Sequence, residues 1–159
     1  MKKLNFRLIL FLLFVALELP AGAQQLSAQQ EAVLQSEVNA TFTQMLVYAE
    51  KLNYEQLNSG VNDSRAAGFI TNGNYYAHYD TLIADMKANA QDVDRQDISI
   101  KEKKTTVLSD KLALMTVTGT ATVYLTDGRV LPVNFHWSFV FEKMGKDWKV
   151  IHSHQSRAS

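Results

Sequence analysis

Cysteine is absent from all 159 residues, which excludes disulfides and thiolate metal sites and leaves packing alone to hold the chain together. With only 2 prolines and 7 glycines, collagen-like, proline-rich and low-complexity architectures are excluded as well. Net charge is also lacking. The 16 Lys and Arg residues balance 16 Asp and Glu, so no basic field draws the protein onto nucleic acid or an anionic membrane. Long hydrophobic runs are confined to Leu8 to Leu17, shorter than the roughly 20 residues that a spanning helix needs.

That run follows a basic start, Lys2-Lys3 and Arg7, and is closed by Glu18, Pro20 and the small residues Ala21-Gly22-Ala23. The combination predicts a secretory signal peptide over residues 1–23, cleaved after Ala23. The expected product is an exported protein, periplasmic or secreted, free of the membrane after cleavage. Removing Lys2, Lys3, Arg7 and Glu18 tips a balanced chain slightly acidic. Residues 24–159 suffice for a single domain with one core.

Helical signals come first. Ser27 stands three residues before Gln30, the spacing of a capping box. Leu34, Val38, Phe42, Met45, Leu46, Ala49 and Leu52 then keep the helical period. Residues 53–60 predict a short second helix between an asparagine cap and a glycine stop. Residues 68–71 predict a small strand ended by Asn72-Gly73, and Tyr76, Tyr79, Leu82, Ile83, Met86 and Ala90 continue as a third helix. From residue 91 the period becomes two: a charged strand with Val93, Ile98 and Ile100, then strands over 112–125, 129–143 and 148–156. Helices followed by strands predict an α+β domain whose sheet packs on the leading helices.

Turn lengths set register, and register sets which residues share a face. A two-residue Asp127-Gly128 loop pairs Thr120 with Phe135, Thr118 with Trp137 and Thr116 with Phe139. A four-residue loop over 144–147 pairs Phe139 with His152 and Trp137 with His154. In this register one face gathers Trp137, Phe139, Thr116, Thr118, His152 and His154, apolar walls with a few hydrogen-bonding groups, which is the chemistry of a small-molecule pocket. Tyr75, Tyr76 and Tyr79 cluster at the start of the third helix, where Tyr76 and Tyr79 are expected to reach the cavity mouth. The opposite face gathers Met115, Val117, Ala121, Val123, Val140 and Ile151 and is expected to be covered by a second copy, giving a homodimer through the sheet. His152 and His154 could share a metal, but a third ligand is missing; neither metal nor cofactor is expected, and no catalytic residue is assigned.

Phe139-Val140-Phe141-Glu142-Lys143, a glycine turn, and Trp148-Lys149-Val150-Ile151-His152-Ser153-His154-Gln155-Ser156 resemble the closing hairpin of the SnoaL-like branch of the NTF2-like superfamily. The Trp, His-x-His and Ser spacing is similar to the end of the association domain of calcium/calmodulin-dependent protein kinase. The resemblance implies an NTF2-like or cystatin-like cone, a curved, mainly antiparallel sheet wrapped around the N-terminal helices with a cavity between them. Activity does not follow, because relatives include isomerases, cyclases, dehydratases, transport factors and oligomerisation hubs. The catalytic aspartate of the isomerase and cyclase branches has no counterpart on the strand of Thr116, Thr118 and Thr120. The expected function is therefore binding of a small, mostly apolar ligand without assignable catalysis; the alternatives are an isomerase, lyase or cyclase using a pocket histidine, and a structural dimerisation module.

Overall fold

The computed structural model describes residues 26–158, so the leader expected over 1–23 lies outside the described residues. α1 (Ala28–Glu50) starts at the expected capping box: Ser27 Oγ accepts the Gln30 amide, and the Gln30 side-chain oxygen accepts the Ser27 amide in return. Leu34, Val38, Phe42 and Met45 form its buried stripe. α2 (Tyr54–Ser59) is capped by the Asn53 side chain, which accepts the Gln56 amide. β1 (Phe69–Thr71) and β2 (Asn74–Tyr76) form a hairpin. Both residues of its Asn72-Gly73 turn have positive φ, +49° and +85°, the backbone that an Asn-Gly pair tolerates best.

α3 (Tyr79–Asn89) begins three residues later than the apolar spacing implies, because Tyr75 and Tyr76 belong to β2. Three residues are too few for strand alternation to stand out against a helical period. β3 (Val93–Val107), β4 (Leu112–Leu125), β5 (Val130–Met144) and β6 (Asp147–Arg157) complete a six-stranded, unclosed sheet in the order β2-β1-β6-β5-β4-β3. All neighbours are antiparallel except β1 and β6.

α1 lies along the edge strand β3. Glu50 Oε1 accepts the Ile98 amide, Gln96 Nε2 donates to the Ala49 carbonyl, and the Thr105 hydroxyl donates to Asn39 Oδ1. The first of these occupies a backbone amide of an edge strand that would otherwise be open to other chains. The exposed charged stretch Lys101-Glu102-Lys103-Lys104 protects another part.

The register of β4 on β5 differs from the expected one by one residue. Met115 pairs with Phe139, Val117 with Trp137 and Gly119 with Phe135, while Thr116 pairs with Ser138 and Thr118 with His136. The cause is the loop. The Gly128 amide donates to the Leu125 carbonyl and the Leu125 amide donates to the Arg129 carbonyl, so the loop has three residues, Thr126-Asp127-Gly128, with Gly128 at φ +86°. That is a turn closed by a glycine bulge rather than a two-residue turn.

A second slip separates β5 from β6. Near the turn the expected pairs hold, Lys143 with Trp148 and Phe141 with Val150. Then Ile151 is an extra residue: Val140 pairs with His152, Phe139 with Ser153, Ser138 with His154 and Trp137 with Gln155. The slips bury Ala113, Met115, Val117, Ala121, Phe135, Phe139 and Phe141 in one layer against α1 and α3. Each large side chain there contributes about 1.5–3 kcal/mol through burial. The apolar face expected to receive a second copy is thus largely the core itself: of its members, Met115, Val117 and Ala121 are buried under the helices.

Candidate functional site

Between the helices and the concave face of the sheet lies a cavity of about 120 Å³, walled by Phe42, Met45, Tyr79, Met86, Trp137 and Phe139, among others. It shares Met86, Gln96, Ala121, Trp137 and Gln155 with an outer cleft of about 460 Å³, which opens between α3 and the ends of the strands. The aromatic wall is closely stacked. Trp137 stacks on Phe135 at 3.7 Å between ring centroids and meets Phe139 edge-on at 6.2 Å, and Phe139 contacts Phe42 at 5.5 Å.

Four strands line the cavity, β3 through Gln96 and Ile98, β4 through Ala121, and β5 and β6 through Trp137, Phe139, Ser153 and Gln155, which alternation after the two slips turns inward. Ser153 is 1 % exposed, and its hydroxyl finds no hydrogen-bond partner among the described residues. A buried polar atom left unpaired costs about 1–3 kcal/mol, and here it borders the cavity. Tyr79 is buried too, and desolvation pushes its phenol well above the usual range, keeping it neutral.

Of the residues expected at the site, Trp137, Phe139 and Tyr79 stand in the wall. The others do not. Thr116 and Thr118 point to the convex face with His136 and Ser138, and His154 is exposed on that same side. His152 Nδ1 lies 2.7 Å from the Gly68 carbonyl oxygen, tying β6 to the start of β1. Tyr76 sits in β2 and donates to Asp85 Oδ2 at 2.5 Å, a bond that raises its pKa and brings it beside a carboxylate of the outer cleft. His78 stands at the N-cap position of α3 without a side-chain capping bond, exposed to solvent, with Nδ1 3.4 Å from Asp63 Oδ2. None of the four histidines borders the cavity.

Ser153, Gln155, Gln96, Phe42, Met45 and Met86 are among the lining residues that were not expected at the site. Their signals were present in part. Phe42 and Met45 belong to the apolar stripe of α1, and Ser153 and Gln155 turn inward as soon as β6 is shifted by one residue.

A wider groove of about 780 Å³ runs along the first turns of α1 past Lys111 and Gly145. Two of its charges, Glu37 and Lys143, are already paired at 2.6 Å. No group of three or more His, Asp or Glu side chains able to hold a metal occurs among the described residues. No helix there is long and apolar enough to cross a membrane.

No curated protein matches the chain. Solved structures do. An NTF2-like superfamily protein from Salmonella enterica superposes with a TM-score of 0.71 at 14% identity, over 80% of this chain and 93% of that one. A hexachlorocyclohexane dehydrochlorinase, LinA type 2, gives 0.69 at 12% identity over 84% and 90%. The association domain of C. elegans CaMKII gives 0.65 at 12% identity over 79% and 97%. At these identities the likeness shows the fold, the NTF2-like cone with its curved, mostly antiparallel sheet. The model of the SnoaL-like domain matches residues 38–159, and with the cone now described strand by strand, the chain belongs to the SnoaL-like family.

Proposed function

We propose that this protein is an exported binding protein whose cone holds a small, mostly apolar molecule carrying one hydrogen-bonding group. The observation that carries the reading is the Ser153 hydroxyl, buried and unpaired at the edge of an otherwise aromatic and aliphatic cavity. A ligand group able to accept or donate there would supply the missing bond. Export rests on the basic start, short apolar run and small residues before Gln24. An N-terminal sequence of the recovered protein starting at Gln24 is the expected outcome, and one starting at Met1 would contradict it.

The neutral fluorophore N-phenyl-1-naphthylamine tests the cavity. Its emission is expected to rise on binding beside Trp137. Ala121→Leu, which narrows the throat shared by cavity and cleft, should weaken binding about tenfold, one large side chain's worth of contact. Unchanged emission with the folded wild-type protein would rule the reading out. Catalysis by a cavity histidine has lost its geometric basis, since His152 and His154 lie on the other face. Homodimer formation through the sheet stays in the proposal on narrower support: half-buried Leu114 and Val140 beside Thr116 on the convex face, and a structural neighbour described as an association domain. Sedimentation showing only monomer at micromolar concentration would remove it.

A further inference from the structure

Beyond its bulge, β6 runs regularly and turns Ser153, Gln155 and Arg157 to the concave side, opposite Phe139, Trp137 and Phe135 in turn. Four residues of strand cover roughly 13 Å, so these three side chains form a polar ladder from cavity floor to rim. Polarity changes along it. At the floor Ser153 stands among Phe42, Met45, Leu57 and Phe139, whereas the outer cleft adds Asn72, Asn89, Asp85 and Arg157.

Asp85 and Arg157 are the charged residues lining that cleft, and they are not equally committed. Asp85 already accepts the Tyr76 hydroxyl. Arg157 makes no ion pair and no side-chain hydrogen bond among the described residues, while Arg65, Arg95 and Arg129 are each paired with a carboxylate. Its guanidinium offers a planar cationic fork that fits a carboxylate. An apolar shaft ending at an uncommitted arginine is complementary to a molecule with an apolar body and one anionic end.

Resting on the binding reading above, we propose that the site selects amphipathic monocarboxylates, the apolar body filling the cone with its hydrogen-bonding group at Ser153 and the carboxylate meeting Arg157 at the rim. Octanoate and 1-octanol, which share an alkyl body and differ at the head group, are the probes. Each is titrated against N-phenyl-1-naphthylamine bound to the full chain. The alcohol partitions better into apolar surroundings, so a preference for octanoate reports a contact with its charge. The wild-type protein should release the fluorophore at about tenfold less octanoate than octanol, the factor expected of one charge-assisted contact. Arg157→Gln should bring the two competitors within about twofold, Arg157→Lys should retain a preference, and added salt should shrink it.

Fluorophore binding without any preference for octanoate overturns the carboxylate assignment and leaves the cavity reading standing. A preference that survives Arg157→Gln overturns the role of Arg157. Failure of the wild-type protein to bind the fluorophore removes both the cavity reading and this proposal.

Discussion

Gly119 shows how closely the aromatic wall is set against the sheet. A Cβ at this position would lie 2.2 Å from the Ser99 carbonyl oxygen and 2.6 Å from the Phe135 ring. The missing side chain lets Phe135 lie flat over β4, and Phe135 in turn supports the Trp137 stack. Gly119→Ala is therefore expected to lower unfolding free energy by about 1–3 kcal/mol through overpacking and to weaken fluorophore binding as the stack shifts. Urea titration checks the first effect; a change under about 0.5 kcal/mol would mean the wall yields freely.

At the scale of elements, Glu37 joins three of them. From α1 it accepts Lys143 Nζ of β5 at 2.6 Å and Trp148 Nε1 of β6 at 2.9 Å. The bonds from Lys143 and then Trp148 hold its carboxyl below the usual range. A carboxylate with a lowered folded pKa stabilises the fold above its unfolded pKa, and that contribution disappears as pH falls through the folded value. The side chain is 39% exposed, so solvent screening limits the contribution to about 1 kcal/mol or less. Glu37→Gln should be slightly less stable than wild type at neutral pH, with the gap closing below the ordinary carboxylate range. A gap that persists in acid would locate the effect elsewhere.

Elements were also the level most legible in the sequence. Leu112–Leu125 forms β4 as expected, and both the capping box at Ser27 and the Asn53 cap stand where the residues put them, because helix period, caps and strand alternation are local properties. Register is not local. Asp127-Gly128 is compatible with loops of two and of three residues, and the extra residue at Ile151 leaves no mark in composition. One slip exchanged the threonines for Met115 and Val117, and the other exchanged His152 and His154 for Ser153 and Gln155. The fold survived these errors while half of the expected site did not. Trp137, Phe139 and Tyr79 reach the wall regardless, as large apolar side chains whose burial the whole core demands.

The whole molecule combines a tightly packed layer, with Phe69, Phe141, Met115, Val117 and Val150 almost fully buried, and a cavity that the same layer leaves unfilled. Net stability of such a domain is only about 5–15 kcal/mol, so the cost of a buried unpaired hydroxyl, about 1–3 kcal/mol, is a measurable share of it. The central claim is that the Ser153 hydroxyl is held ready for a ligand. The unfolding free energy of ligand-free Ser153→Ala, compared with wild type in urea, tests it most directly. Removing an unpaired buried hydroxyl should leave stability unchanged or raise it by about 1 kcal/mol; a loss of 1 kcal/mol or more would show that the hydroxyl is bonded within the fold and contradict the account.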